Sequence, residues 1–232
     1  MSCILNIETS TEVCSVAVSQ DGSIIFEKTN SEPNSHTKYL ASFVEEALSF
    51  AESHAIPLDA VAVSTGPGSY TGLRIGVSTA KGICYGKNIP LIAVPTLKLL
   101  CVRPLLSDEV EHDDALLCPM IDARRMEAYT AIYDRALREI RKVQADIIND
   151  ATYAEWLEKG PVYFFGNGAD KCKDIIKHPN AHFIDNVTPT AKSILPLAEL
   201  AIAKGDFVDV AYFEPFYLKD FVAIKSKSLL EK

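Results

Sequence analysis

The chain has 232 residues, of which 48% are hydrophobic and 23% charged, and its formal net charge is −8. This is the composition of a soluble globular protein large enough for one domain or two lobes. The negative balance argues against a protein that grips nucleic acid by itself, because such proteins carry a basic surplus. No apolar run approaches the roughly 18 residues that span a membrane, and no signal peptide is recognised. We therefore expect a cytoplasmic protein, and its six cysteines, none in a CxxC pair, fit a reducing compartment.

The hydrophobic pattern predicts strands and helices along the whole chain. The first half is predicted to contain strands at 3–7, 13–18 and 23–27, a helix at 36–52, a strand at 59–64, a helix at 69–86, a strand at 91–94 and a helix at 96–106. The second half is predicted to contain strands at 115–121, 127–133 and 140–147, a helix at 152–159, a strand at 162–165 and a helix at 190–204. This order predicts an α/β fold with mixed sheets and helices packed on them.

The acidic segment SDEVEHDD shows no helix or strand pattern and predicts a boundary between two lobes. We assign residues 1–106 to an N-terminal lobe and 107–232 to a C-terminal lobe, and expect the helix at 190–204 to pack back on the first lobe. The tail KDFVAIKSKSLLEK, which begins at Lys219, is locally basic. Its ordinary interpretation is a solvated carboxyl terminus.

The stretch GPGSYTG at 66–72 lies between a predicted strand and a predicted helix. It is not a Walker A loop, because Gly66 and Gly72 are one residue too far apart and Leu73 stands where that motif has lysine. It is not a dinucleotide fingerprint either, because Thr71 occupies the position of the third glycine. What remains is a sharp turn into a helix, whose first N–H groups would face any nearby anion.

The helix that follows has two distinct faces. One face is apolar and predicts packing on a sheet; it carries Leu73, Val77, Ala80 and Cys84. The second face carries Gly72, Gly76, Thr79, Ile83 and Gly86. Each interior glycine costs about 1 kcal/mol relative to alanine, so the close approach of another part of a protein is expected there. Periodicity leaves open whether that neighbour belongs to the same lobe or to a second subunit.

Three further places carry polar side chains or glycines at strand ends: residues 8–10 (Glu8, Thr9, Ser10), the segment IDARRMEAY at 121–129, and GNGAD at 166–170. The first is a candidate metal–phosphate site. The last follows a strand and is predicted to open a helix, which gives a second anion-binding geometry. In the middle segment, Asp122, Arg124 and Glu127 are candidate site residues. The ordinary alternatives are a polar turn at the first place and a salt-bridged hairpin at the second. No HExxH or GxSxG motif occurs, so histidine metal ligands and a triad serine are not expected.

Four segments together resemble the TsaB (YeaZ) family, a group once described as glycoprotease-like: ILNIETSTEVCSVAV, GPGSYTGLRIG, IDARRMEAY and PFYLK, in this order. The resemblance runs from the first strand to the tail and is looser over 135–190. It implies an actin/sugar-kinase/Hsp70-like (ASKHA) fold with two RNase H-like lobes, each a mixed sheet flanked by helices. It also implies a role in forming threonylcarbamoyladenosine in tRNA, next to the anticodon.

The resemblance further implies partners. The family pairs with its paralogue TsaD, which holds the metal and the threonylcarbamoyl-adenylate, and the ATPase TsaE joins them; tRNA is reached through this complex. The metal-binding HxxxH motif of the paralogue falls here on Thr96 and Leu100, so we expect no metal, no cofactor and no catalytic residue in this chain.

The same resemblance favours the second face of the glycine-rich helix as a docking surface, used for a homodimer when the chain is alone. On this interpretation an arginine at Gly76 leaves the free chain folded and blocks docking.

Two other functions remain as alternatives. An ATP-dependent small-molecule kinase of the same fold is supported only by Glu8 and GNGAD. A peptidase is suggested only by the older family description, and the chain lacks the metal pair or nucleophile elbow that it needs.

Overall fold

The N-terminal half forms a five-stranded mixed sheet. The structure, a computed structural model, describes residues 2–32 and 36–219, so the tail beyond Lys219 lies outside the described residues. The strands are β1 (Cys3–Glu8), β2 (Cys14–Gln20), β3 (Ser23–Asn30), β4 (Ala60–Ser64) and β5 (Leu91–Val94). Their order is β3-β2-β1-β4-β5, with β1, β2 and β3 antiparallel and β4 and β5 parallel to β1. A turn at Asp21-Gly22 joins β2 to β3, with φ of 49° and 76°.

The second half repeats this arrangement. Its strands are β6 (Leu116–Asp122), β7 (Glu127–Tyr133), β8 (Glu139–Ile147), β9 (Val162–Phe165) and β10 (Ala181–Ile184). The order is β10-β9-β6-β7-β8, again with three antiparallel strands and two that run parallel to the central one. The predicted α/β class with mixed sheets is therefore confirmed.

Helices cover both faces of the first sheet. The helices are α1 (His36–Ser53), α2 (Tyr70–Lys87), α3 (Thr96–Leu100), α4 (Val102–Leu106), α5 (Ala154–Leu157) and α6 (Ala191–Lys204). Helices α1 and α2 bury their apolar stripes on one face of the first sheet. Helix α6 follows the second sheet in the chain but packs on the opposite face of the first, where Ile194 and Ala198 contact Ile4 and Ala62. The division of the chain at 106/107 stays a prediction.

Four elements differ from the sequence prediction. The helix expected over 96–106 is two short helices, and Pro104 explains the break: it has no N–H group and its ring clashes with the carbonyl four residues earlier. The helix expected over 152–159 is a single turn, α5. The GNGAD segment leads only into the 3-10 turn Asp170–Cys172. Strand β10, a short and mostly half-buried edge strand, has no counterpart in the sequence prediction.

Candidate functional site

The glycine-rich turn is held against the end of β1. The Ser69 amide donates to the Ser10 carbonyl at 2.7 Å, and the Ser69 hydroxyl accepts from the Gly72 amide at 3.2 Å as the N-cap of α2. Gly66 has a φ of +108°, which explains why glycine stands there. Because the Ser69 and Gly72 amides bond within the chain, the turn holds its backbone close to the end of β1.

Gly72 and Gly76 are buried inside their own lobe, which corrects the expectation that they lie on an exposed docking face. A Cβ at Gly72 would collide with the Thr9 carbonyl oxygen, and a Cβ at Gly76 would collide with the Thr9 hydroxyl. A Cβ at Gly68 would likewise meet the Ser10 carbonyl. The neighbour that these glycines accommodate is therefore the turn after β1. The same contact leads us to expect that Gly76→Arg destabilises the free chain instead of leaving it folded.

The outer face of α2 has a different character. Thr79 and Ile83 are half-buried, whereas Gly86 is exposed, and a Cβ added there would meet no atom within 4 Å. Gly82 is equally open, and between these two glycines the Tyr85 side chain is 86% exposed. Tyrosine is enriched at protein–protein interfaces, so this exposed side chain marks a candidate contact surface.

The segment 209–213, which follows α6, borders this face. The Lys81 ammonium donates to the carbonyls of Ala211 and Phe213, at 3.1 and 2.8 Å. A shallow groove lies between that segment and α2, lined by Lys81, Gly82, Tyr85, Asp209, Val210 and Ala211. The outer face of α2 and this groove form one continuous surface, which we call the α2 surface. The periodicity of the glycines gives no indication of Tyr85, which lies off their stripe.

Glu8 is enclosed at the end of β1. Its side chain has no exposed surface, and its Oε1 accepts from the Ser10 amide at 2.6 Å and from the Ser10 hydroxyl at 2.5 Å. Its Oε2 has no hydrogen-bond partner. Burial raises the pKa of this carboxyl above its usual range, although the bonds from Ser10 oppose the shift. Without exposed surface, Glu8 does not present a carboxylate to a metal–phosphate group.

The raised pKa of Glu8 predicts a pH-dependent stability difference for Glu8→Gln. A carboxyl whose pKa is higher in the folded state stabilises the fold below its unfolded pKa, and this stabilisation is lost as the pH rises through the folded pKa. We therefore expect Glu8→Gln to melt above the parent at pH 8, and the gap to close toward pH 4. Thermal unfolding across this range measures it. The control is Glu12→Gln, an exposed carboxylate in the same turn; an equal gap there would contradict the explanation.

Thr96 and Leu100 occupy structural positions. The Thr96 hydroxyl accepts from the Gly66 amide at 3.0 Å, and Leu100 belongs to a buried apolar cluster. Neither residue is available as a metal ligand. Within residues 2–32 and 36–219, no three His, Cys, Asp or Glu side chains come together as a metal-binding group. The absence of a metal from the protein stays a prediction.

The two candidate segments of the second half pack against each other. Gly166 and Gly168 lie on β6, where added Cβ atoms would collide with the backbone of Met120 and Ile121. The Asn167 side-chain oxygen accepts from the Asp122 amide at 3.0 Å. The glycines of GNGAD are thus explained by close packing, as in the first half.

The IDARRMEAY segment forms the β6–β7 hairpin. Asp122 pairs with Lys171 and Glu127 pairs with Lys219, so the hairpin is salt-bridged, but to lysines from elsewhere in the chain. The Arg124 amide donates to the Asp122 carboxylate at 3.1 Å. The Arg124 guanidinium forms no ion pair with Asp122 or Glu127. The structure therefore places the three predicted residues in one hairpin, but their side chains do not form one cluster.

The chain is similar to known proteins over most of its length. The family model of TsaD, tRNA N6-adenosine threonylcarbamoyltransferase, matches residues 24–226. The TsaB protein of Escherichia coli, a tRNA threonylcarbamoyladenosine biosynthesis protein, is 31% identical over 96% of both chains. The chain belongs to the TsaB (YeaZ) family. The TsaB protein of Bacillus subtilis is also 31% identical, over 75% of both chains.

The structure of YeaZ from Pseudomonas aeruginosa confirms the fold of this TsaB-family chain. It superposes with a TM-score of 0.79 at 26% identity and covers 94% of this chain and 100% of its own. The predicted α/β fold of two mixed sheets flanked by helices is therefore confirmed. Among the described residues, no helix is both long and apolar enough to cross a membrane.

Proposed function

We propose that this chain acts in the biosynthesis of tRNA threonylcarbamoyladenosine as a non-catalytic cytoplasmic subunit. It pairs with a TsaD-like paralogue, and a TsaE-like ATPase joins the pair. The support for the pathway is the similarity to TsaB proteins of that biosynthesis over nearly the whole chain. The support for a non-catalytic role is that Thr96 and Leu100 are engaged in packing and Glu8 is enclosed.

The single observation that carries the pairing is the exposure of Tyr85 on the α2 surface, between two glycines that leave open space. A helix of a partner can approach closely there, because glycine adds no side chain between the two backbones. Of the predicted interface residues, Thr79, Ile83 and Gly86 remain part of this proposal. When the paralogue is absent, we propose that two copies of the chain pair through the same surface.

The kinase alternative has less support. It requires a carboxylate that reaches a metal–phosphate group and a site for adenosine, whereas Glu8 is enclosed and the GNGAD glycines are used for packing on β6. No observation favours the peptidase.

Gly86→Arg is expected to weaken pairing with the paralogue by about two orders of magnitude, because a cation would be desolvated at the contact. The measurement is light scattering after size exclusion on mixtures of the two purified proteins. Ala136→Arg is the matched control, since it adds the same charge on the exposed β7–β8 turn of the other sheet. The proposal fails if the parent chain does not pair, or if Gly86→Arg pairs with parental affinity.

A further inference from the structure

The turn between β6 and β7 carries two exposed arginines in an unfavourable backbone conformation. Arg124 and Arg125 have φ of 73° and 51°, in the left-handed region that asparagine, aspartate and glycine tolerate best. Both side chains are exposed. Strain of this kind persists where the surrounding structure enforces it and is concentrated at functional sites.

Hydrogen bonds to its backbone carbonyls hold this turn in place. The Lys171 ammonium donates to the Arg125 carbonyl at 2.9 Å and to the Glu127 carbonyl at 2.6 Å. The Glu127 amide donates to the Arg124 carbonyl at 3.2 Å. The turn is therefore a pre-organised support from which two adjacent guanidinium groups project.

The two acids of the hairpin, Asp122 and Glu127, are each paired with a lysine. Lys171 pairs with Asp122, and Lys219 pairs with Glu127. Among the described residues, the arginines that form ion pairs are Arg103, Arg138 and Arg141. Four cations against two acids leave a local charge of +2 in a chain whose net charge is −8.

We propose that this turn contacts the phosphodiester backbone of RNA through Arg124 and Arg125. Guanidinium groups bind phosphate through paired hydrogen bonds, and such contacts position a protein on nucleic acid without reading sequence. The sequence beyond Lys219 has the same sign of charge, with Lys225, Lys227 and Lys232 against Asp220 and Glu231. The proposal rests on the proposed function, because that function brings the chain next to tRNA.

The test replaces both arginines with residues that adopt the backbone conformation of the turn more easily. Arg124→Asn/Arg125→Gly removes both guanidinium groups and supplies residues that favour left-handed backbone. Its melting temperature is therefore expected to rise by about 2–4 °C, so that a loss of binding cannot come from unfolding. Arg124→Lys/Arg125→Lys keeps the charge. Lys142→Gln/Lys177→Gln removes two exposed lysines elsewhere and serves as the matched control.

Binding of an unmodified tRNA transcript is measured by fluorescence anisotropy between 50 and 200 mM salt. It is measured for the full chain alone and for its complex with the TsaD-like paralogue. For the Asn-Gly variant we expect about tenfold weaker binding and a salt slope smaller by about 2. The lysine variant keeps the charge but loses the paired hydrogen bonds, so it is expected to keep the parental salt slope while binding less tightly than the parent. The control is expected to match the parent in affinity and slope.

The outcomes separate this inference from the proposed function. Failure of the parent to form the complex overturns the proposed function. If the complex forms, parental affinity and slope for the Asn-Gly variant overturn the RNA contact, as does a parent that binds no tRNA in either preparation. Loss of pairing with the paralogue in the Asn-Gly variant identifies the turn as a protein contact and also overturns it.

Discussion

Replacing Gly72 with alanine is expected to destabilise the chain, whereas the same change at Gly82 in the same helix is expected to stabilise it. At Gly72 the new methyl group would collide with the Thr9 carbonyl oxygen. This oxygen belongs to the backbone, so it cannot avoid the clash by a side-chain rotation. Overpacking of this kind costs about 1–3 kcal/mol. At Gly82 the space is open, and alanine gains about 1 kcal/mol of helix propensity.

Gly76→Arg is expected to lower the stability of the chain more than either alanine substitution. The Thr9 hydroxyl occupies the space of a Cβ at Gly76, so an arginine displaces the turn after β1 and carries a charge into the interior. We expect the free energy of unfolding to fall by about 4 kcal/mol or more, with loss of soluble protein. Gly86→Arg, on the open part of α2, is expected to remain folded.

Urea unfolding followed by circular dichroism measures all four variants. Equal effects of alanine at Gly72 and Gly82, or a stable Gly76→Arg protein, would show that the contact between α2 and Thr9 is not what these glycines provide.

Arg141→Met is expected to cost about 3–5 kcal/mol, because it leaves the Asp146 carboxylate without its cation in a mostly buried site. The Arg141 Nη2 lies 2.6 Å from the Asp146 Oδ2, and the two side chains are only 17% and 10% exposed. The Tyr153 hydroxyl also donates to this oxygen, at 2.8 Å. These contacts link strand β8 to the chain before α5.

A second arginine–aspartate pair of the same length provides the control. Arg138 and Asp134 are also 2.6 Å apart, but the Arg138 side chain is 81% exposed. Arg138→Met should therefore change the free energy of unfolding by about 1 kcal/mol at most. Chemical denaturation compares the two variants, and equal losses would contradict the role given to burial.

The glycine-rich helix shows how far the sequence leads. Periodicity places Gly72, Gly76 and Gly86 on one face, and the sequence also predicts the turn that begins the helix. The pattern contains no information about what packs on each glycine, because Thr9 is more than 60 residues away in the chain. Two of the three glycines pack inside the lobe and the third is open, although they share one periodicity.

Other differences also come from packing that local sequence does not encode. Strand β10 is four residues long and only Ile184 is fully buried, so its pattern is too weak to read. The GNGAD glycines suggest an anion site by their position after a strand, but their backbone is pressed on β6. Long elements with a clear apolar stripe, such as α1, α2 and α6, lie close to their predicted bounds.

The most direct test of the central claim is the threonylcarbamoyladenosine content of tRNA in cells. A bacterial host is depleted of the host's TsaB protein and supplied with this chain together with the TsaD-like paralogue from the same source as the chain. The nucleosides of its tRNA are then measured by mass spectrometry. We expect the parent and Ala136→Arg to restore the modification, and Gly86→Arg to leave it near the depleted level while remaining soluble. Full restoration by Gly86→Arg, or no restoration by the parent, would contradict the account.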